Sequence, residues 1–92
     1  MANKITGTYE KKGRNTFGPY LRQLRLLQQL SAEEVSARIE LQNERHPINV
    51  SANHLHKVER QEKPLSDTLL LAYLEAIETN LQKFAEYYGE NV

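Results

Sequence analysis

The 92-residue sequence contains no cysteine and no long hydrophobic run. Without cysteine the chain has neither a disulfide framework nor a thiolate metal site, which favours an intracellular protein. Its longest uninterrupted apolar segment, residues 69–74, is far shorter than the ~20 residues that cross a bilayer. Residues 1–7 lack the apolar segment of a signal peptide, so we expect a cytoplasmic location. The length predicts one domain with a single core.

The sequence also has no net charge, because 12 basic residues balance 12 acidic ones. This balance alone argues against a nucleic-acid partner. The charges are unevenly distributed, however, with a net +5 over residues 1–30, −1 over residues 31–64 and −4 over residues 65–92. A basic N-terminal part suits contact with phosphates, whereas the alternative is a solubilising tail combined with a solvated acidic helix.

The hydrophobic periodicity predicts an all-α fold, a compact bundle of five short helices. Residues 1–15 show no sustained period and are predicted to form a flexible basic arm, with the domain itself over residues 16–92. The first helix begins near Phe17, since Pro19 is tolerated only in a first turn. Its apolar side is predicted to contain Phe17, Tyr20, Leu21, Leu24 and Leu27.

The second helix has the clearest start signal. Ser31 and Glu34 have the spacing of a capping box, in which each side chain satisfies a backbone N–H near the other. Pro47 stops the helix, which is therefore predicted over about residues 31–45.

The third helix is predicted over about residues 51–60, with Ser51 as its cap. Leu55 and Val58 are its only large apolar residues, so one narrow side anchors it and the rest is polar. The polar side faces either solvent or the groove of a nucleic acid.

Two C-terminal helices are predicted within about residues 66–88. Ser66 caps the first, and Thr79 or Asn80 caps the second, which ends near Gly89. Three aromatic residues of the last helix are interpreted as core or as a self-association surface: Phe84, Tyr87 and Tyr88.

Three motifs follow one another in a combination that is more specific than any one of them. Residues 21–25 read Leu-Arg-Gln-Leu-Arg, residues 30–37 read Leu-Ser-Ala-Glu-Glu-Val-Ser-Ala, and residues 50–60 read Val-Ser-x-x-x-Leu-x-x-Val-Glu-Arg. In this order and spacing they resemble the helix-turn-helix DNA-binding domains of the phage Cro and lambda-repressor (Xre) family. The resemblance extends over about residues 17–77.

The resemblance implies that the third helix enters the major groove of double-stranded DNA while the second crosses the backbone. It implies base contacts from Ala52, Asn53, His56 and Lys57. Asparagine pairs with adenine, lysine reaches guanine acceptors, and alanine meets a thymine methyl group. It implies phosphate contacts from Arg22, Ser31, Ser51, Arg60 and Lys63. Glu59 is expected to pair with Arg25 and to be structural.

The chain departs from the family pattern at three places. Ala32 stands where the family commonly has glutamine. Gln61 stands where it commonly has glycine, so the end of the third helix is expected to close differently. Residues 40–49 replace a tight turn, which lengthens the second helix, adds a loop, or both.

Neither a metal site nor a catalytic site is predicted, and no cofactor is expected. His54 and His56 are two positions apart, which places them on different sides of a helix. The serines are explained as caps, and the sequence has no glycine-rich phosphate loop.

These observations predict a sequence-specific transcription regulator that is not an enzyme. By analogy with the family, it is a repressor that binds a palindromic operator as a homodimer, as in phages and other mobile elements. Two other functions stay open. One is a protein-interaction module, such as the antitoxin of a toxin–antitoxin pair, with acidic C-terminal helices that hold a basic partner. The other is a helical adaptor that has lost DNA binding. No membrane or small-molecule partner is predicted.

Overall fold

Five α-helices follow one another in residues 13–92, the part of the chain that the computed structural model describes. They are α1 (Gly18–Leu27), α2 (Ala32–Leu41), α3 (Ala52–Glu59), α4 (Asp67–Ala76) and α5 (Leu81–Asn91). Residues 13–92 contain no β-strand, so the predicted all-α fold with five short helices is confirmed. No helix in this range is long and apolar enough to cross a membrane.

Side-chain caps begin four of the five helices. Ser31 accepts a hydrogen bond from the Glu34 N–H at 3.0 Å, and the Glu34 carboxylate accepts one from the Ser31 N–H at 2.7 Å. The predicted capping box at the start of α2 is therefore confirmed. The caps of α3, α4 and α5 are Ser51, Ser66 and Asn80.

The core lies where α2 packs against α3 and α4, with α1 against α3 and α5 against α4. Its largest fully buried side chains are Leu21, Val35, Ile39, Leu55, Val58, Leu69, Tyr73, Leu74 and Ile77. The predicted apolar side of α1 is wrong at its last position, because Leu27 is 72% exposed. Leu30, just after the helix, supplies the buried side chain at this end instead.

The aromatic residues of α5 pack within the chain. Phe17 contacts Phe84 and Tyr88 edge to face, with ring centroids 5.2 and 5.1 Å apart. Tyr20 contacts Tyr88 in the same geometry at 5.0 Å. Such contacts stabilise the packing of α5 near α1, so the prediction that aromatic residues of the last helix contribute to the core is confirmed for Phe84, and Tyr88 packs at its edge.

Non-glycine residues in left-handed backbone conformation end three of the described helices. Gln29, Gln61 and Glu78 follow α1, α3 and α4 with φ of 60°, 66° and 60°. In each case the next backbone N–H donates to the carbonyl oxygen five residues earlier, at 3.1, 2.8 and 2.9 Å. Gln61 thus adopts the conformation that glycine usually supplies, and the expectation that α3 closes differently is wrong.

The connection between α2 and α3 is a folded loop. α2 ends at Leu41 and not near residue 45, because the N–H groups of Gln42 and Asn43 donate to carbonyls only three residues earlier and the chain begins to turn. Farther along, Ile48 and Val50 pack against the core. Of residues 40–49, the first two complete α2 and the other eight form the loop.

The last helix runs farther than predicted. α5 passes through Gly89 and continues to Asn91, whose side-chain amide donates to the Tyr87 carbonyl at 2.8 Å. Glycine is unfavourable inside a helix but does not stop one, and a Cβ atom added to Gly89 would meet no other part of the described chain within 4 Å.

The predicted flexible arm extends too far along the chain. Its residues 1–12 lie outside the described part. The Arg14 N–H donates to the Gln61 carbonyl at 2.9 Å, and the Asn15 amide donates to the carbonyls of Val58 and Lys63 at 3.0 and 2.8 Å. Because carbonyls at a helix end need partners, these two residues are fixed against the end of α3, and the prediction is wrong for them.

Candidate nucleic-acid interface

A narrow buried side anchors α3. Its buried residues are Leu55, Val58 and Glu59. The helix turns by about 100° per residue, so these three lie on one side and the opposite arc centres on exposed Asn53. His56 lies at one edge of this arc and His54 at the other. The remaining residues of the outward arc are Lys57 and Arg60, whereas Ala52 lies beyond His56, next to the buried side, and is half-buried.

A buried network attaches α3 to α1 and α4. Arg25 donates from Nε and Nη2 to the two carboxylate oxygens of Glu59, each at 2.8 Å, and from Nη1 to the Leu30 carbonyl at 2.9 Å. The Tyr73 hydroxyl donates to Glu59 Oε2 at 2.5 Å. Hydrogen bonding to Glu59 raises the pKa of Arg25, and burial raises the pKa of Tyr73. The expected pairing of Glu59 with Arg25 is confirmed.

The start of α1 and the end of α3 pack so closely that their backbones are in direct contact. A Cβ atom on Gly18 would overlap the Val58 carbonyl oxygen and lie 3.1 Å from the Glu59 Cα. Asn15 completes the contact, because its Oδ1 accepts from the Gly18 N–H at 2.7 Å. Gln61 donates from Nε2 to the Asn15 carbonyl at 2.9 Å. The position of α3 relative to α1 is therefore fixed by direct backbone packing.

The two serines predicted to contact phosphates cap helices. The hydroxyl oxygens of Ser31 and Ser51 each accept a backbone hydrogen bond at 3.0 Å, which leaves each O–H proton to donate elsewhere. At Ser31 the Glu34 carboxylate is adjacent, and its pKa is lowered by the hydrogen bond from the Ser31 N–H. The first turn of α3 has no acidic residue. Ser51 is therefore better suited than Ser31 to an anionic ligand.

Two lysine charges act on His54 of α3. Burial lowers the pKa of His54, and the positive charges of Lys63 and Lys57 lower it further. Lys63 follows α3 in the chain, yet its charge acts on the same edge of α3 as that of Lys57. The sequence did not predict the influence of Lys63 on His54, because no local pattern relates two residues nine positions apart across a helix end.

On the opposite edge of α3, a groove of about 460 Å³ runs between this helix and the first turns of α1. It is lined by Pro19, Arg22, Gln23, His56, Glu59 and Arg60. The groove unites two predicted phosphate contacts with His56, which was predicted to read a base. Pro19 and Gln23 carry no chemical pattern that distinguishes them in the sequence.

Arg60 forms an ion pair with Glu62 on the surface. Its Nε and Nη2 atoms donate to the two Glu62 carboxylate oxygens at 2.9 and 3.1 Å. The pairing raises the pKa of Arg60 and lowers that of Glu62. Because exposed ion pairs contribute little to stability, Arg60 can exchange this partner for another anion.

The loop between α2 and α3 is fixed on the side of α4. Arg45 donates to one carboxylate oxygen of Glu75, and His46 Nε2 lies 2.7 Å from the other. The Ser36 hydroxyl donates to the Val50 carbonyl at 2.6 Å. Arg45 and His46 are thus engaged with an acidic partner within the chain.

The predicted site residues divide into three sets. Outward on α3 lie Asn53 and Lys57, and Ala52 lies at the start of the helix next to its buried side. Around the groove lie Arg22, His56 and Arg60, and near the ends of α2 or α3 lie Ser31, Ser51 and Lys63. Residues 13–92 contain no group of three or more His, Cys, Asp or Glu side chains that could hold a metal ion.

Comparison with known proteins adds no relative. Neither the family models, the curated proteins nor the solved structures that were searched contain a match to the chain. The functional assignment therefore rests on the chemistry and geometry of the interface around α3.

Proposed function

We propose that the chain is a sequence-specific DNA-binding transcription regulator that inserts α3 into the major groove. The observation that carries the proposal is the two-sided character of α3. Its inner side is fixed by Leu55, Val58 and the Arg25–Glu59 pair. Its outer side presents polar side chains between basic residues on both edges. A rigid helix with such a surface is suited to reading base edges.

The outward residues match the chemistry of the base edges. Asn53 is exposed at the centre of the outward arc, where its amide can pair with adenine. Lys57 lies one turn farther along and can reach the acceptor atoms of guanine. Ala52, at the start of the helix, is small enough to approach a thymine methyl group.

Basic side chains on the two edges of α3 would contact the two flanking phosphate backbones. Lys63, together with Lys57, supplies positive charge on the edge that carries His54. Arg22 and Arg60 supply it on the other edge. Phosphate contacts of this kind set the orientation of the helix, whereas the outward residues supply specificity.

The ten-residue connection between α2 and α3 is compatible with this role. α2 still packs directly on α3, as a helix that crosses the DNA backbone must do. Since Arg45 and His46 bind Glu75 of α4, the loop is held by an element other than α3. We assign no DNA contact to it.

Binding to a palindrome requires a dimer, and an apolar groove between α4 and α5 is the surface that we assign to it. The groove measures about 520 Å³, and its lining includes Leu71 and Leu81, which are 39% and 51% exposed.

In sedimentation equilibrium we expect a dimer for the natural chain and a monomer for Leu81→Lys. Leu27→Lys, at an exposed leucine of α1, is the matched control and should remain dimeric. A natural chain that stays monomeric with and without DNA contradicts this assignment.

The role as a repressor rests on the resemblance to Cro and lambda repressor, in which a compact regulator blocks transcription by occupying its operator. An origin in a phage or another mobile element rests on the same analogy. A reporter gene controlled by the promoter next to the chain's own gene tests this role. Expression of the chain should reduce reporter activity, and unchanged or increased activity contradicts repression.

Affinity selection from a pool of random DNA duplexes tests the proposed function. The full chain should enrich an inverted repeat whose half-sites are about 10 base pairs apart, centre to centre, or a multiple of that spacing. Asn53→Ala should lose sequence information at one position of each half-site, whereas Lys83→Ala, at an exposed residue of α5, should enrich the same sequence. Failure of the natural chain to enrich any sequence at low salt contradicts the proposal.

A further inference from the structure

The groove between α1 and α3 has an excess of positive charge within a small volume. Arg22 comes from α1, while His56 and Arg60 come from α3. The one acidic residue in the lining, Glu59, already accepts hydrogen bonds from Arg25 and Tyr73. Arg25 compensates its charge from the protein interior, and on the groove side Glu59 Oε1 lies 3.7 Å from His56 Nδ1. Two guanidinium groups, those of Arg22 and Arg60, therefore face a single carboxylate that already has a buried counter-charge.

The lining also contains an oriented neutral donor. The Tyr87 hydroxyl donates to Gln23 Oε1 at 2.5 Å, which fixes the amide group of Gln23. Because Oε1 is the atom that accepts this hydrogen bond, the Nε2 atom at the other end of the amide is a donor with two protons. An anion in the groove would therefore meet a neutral donor in addition to the charged ones.

Within the protein, Arg60 pairs with Glu62, and this ion pair is exposed and weak. Glu62 lies two residues after Arg60, and the side chains of both are about half exposed. A phosphate group offers more acceptor oxygens than a carboxylate, and guanidinium groups bind it in two-pronged geometry. A phosphate in the groove can therefore displace Glu62 without disturbing the core.

We infer that this groove is a phosphate-binding site, with Arg22, Arg60 and His56 as charged or polar donors and Gln23 as a neutral donor. The inference deepens the proposed function, on which it rests for the identity of the natural ligand, a backbone phosphate of DNA. It also changes the role of His56, because this side chain points to the edge next to α1 and contacts phosphate, not a base.

Titration with inorganic phosphate tests the site without DNA. In nuclear magnetic resonance spectra of the full chain, the Nε–H signals of Arg22 and Arg60 should shift and saturate as phosphate is added at constant ionic strength. Arg22→Gln should weaken this binding at least tenfold, whereas Lys83→Gln should leave it unchanged. Equal, unsaturated shifts at the groove and at distant arginines such as Arg38 would overturn the inference. Thermal unfolding of both variants verifies that they are folded.

Binding to DNA separates the phosphate role from base reading. Arg22→Gln and His56→Gln should weaken binding to the selected site and to unrelated duplexes by the same factor, and the sequence selected from a random pool should stay the same. A change in the preferred base with His56→Gln would overturn the assignment of His56, as would unchanged affinity in both variants. If the natural chain binds phosphate in the groove but no duplex, the site stands and the proposed function fails.

Glu62 provides a test in the opposite direction. Glu62→Gln removes the competing carboxylate, so it should strengthen binding of inorganic phosphate at least twofold. Glu33→Gln, at an exposed acidic residue of α2, is the matched control and should have no such effect. Weaker or unchanged phosphate binding by Glu62→Gln would show that Arg60 does not take part in the site.

Discussion

Arg25 of α1 and Glu59 of α3 form two parallel hydrogen bonds of 2.8 Å in the protein interior, where the side chains are only 4% and 1% exposed. Glu59 also accepts a hydrogen bond from Tyr73 of α4. Three helices therefore meet at one carboxylate. Because Glu59 lies directly between Val58 and Arg60 in the chain, this network sets the position of the outward residues of α3, which we propose to contact DNA.

Removal of one partner of this pair should be costly. We expect Arg25→Met to lower the free energy of unfolding by about 3–5 kcal/mol, since Glu59 stays buried without its counter-charge. The double variant Arg25→Met/Glu59→Leu should recover most of this loss, because no unpaired charge remains. Urea denaturation at neutral pH measures both. Arg22→Met, one turn earlier and exposed, should change stability by less than about 0.5 kcal/mol. Equal losses at Arg22 and Arg25 would contradict the role of the network.

Two glycines in helices should respond in opposite directions to alanine. Gly18→Ala drives a methyl group into the Val58 carbonyl, so we expect a loss of at least about 2 kcal/mol as α1 and α3 separate. Gly89→Ala meets nothing within 4 Å and should stabilise α5 by about 0.5–1 kcal/mol. Thermal unfolding measures the difference. If Gly18→Ala leaves the stability unchanged, Gly18 does not pack directly against the backbone of α3.

The left-handed residue after α1 offers a site for stabilisation. Gln29 is exposed and has φ of 60°, a conformation that side chains disfavour. Gln29→Gly should therefore raise the free energy of unfolding by about 0.5–1 kcal/mol. Ala37→Gly, at an exposed position inside α2, should lower it by about 1 kcal/mol. Chemical denaturation compares the two, and destabilisation by both would contradict the assigned helix end.

Protonation of His54 should reduce stability in acid. Burial and the nearby Lys57 and Lys63 hold its pKa below the ordinary value of 6.5. Between these two pKa values the unfolded chain binds more protons than the folded one, so the free energy of unfolding falls as the pH falls through this range. His54→Gln should show a smaller loss than the natural chain between pH 8 and pH 5. The same loss in both would mean that His54 experiences neither burial nor its basic neighbours.

Local signals in the sequence were sufficient for most helix starts. The capping box of Ser31 and Glu34, and the caps Ser51 and Ser66, depend on residues within one turn, which a sequence displays directly. Periodicity also identified Leu55 and Val58 as core. Helix ends were less predictable: Gln61 takes a left-handed conformation that its residue type does not favour, and Arg14 and Asn15, from a segment predicted to be flexible, bind to it.

Contacts between distant parts of the chain account for the rest. Tyr73 joins the Arg25–Glu59 pair across 14 residues from Glu59, and Asn15 reaches carbonyls more than 40 residues away. The groove that combines Arg22 with His56 arises in the same way, from the packing of α1 on α3. From the sequence, Arg22 was expected to contact a phosphate and His56 a base. Only their proximity in the structure led us to propose that both contact the same phosphate.

Equilibrium binding to two duplexes distinguishes base recognition by α3, as we propose it, from contact with the DNA backbone alone. One duplex carries the inverted repeat enriched from a random pool, and the other has the same base composition with both half-sites permuted. We predict that the natural chain binds the first at least about 10³-fold more tightly, and that both affinities fall steeply with added salt. Lys57→Ala should reduce the discrimination by about 1–3 kcal/mol at one base position. Equal affinity of the natural chain for the two duplexes at every salt concentration would contradict base recognition by α3.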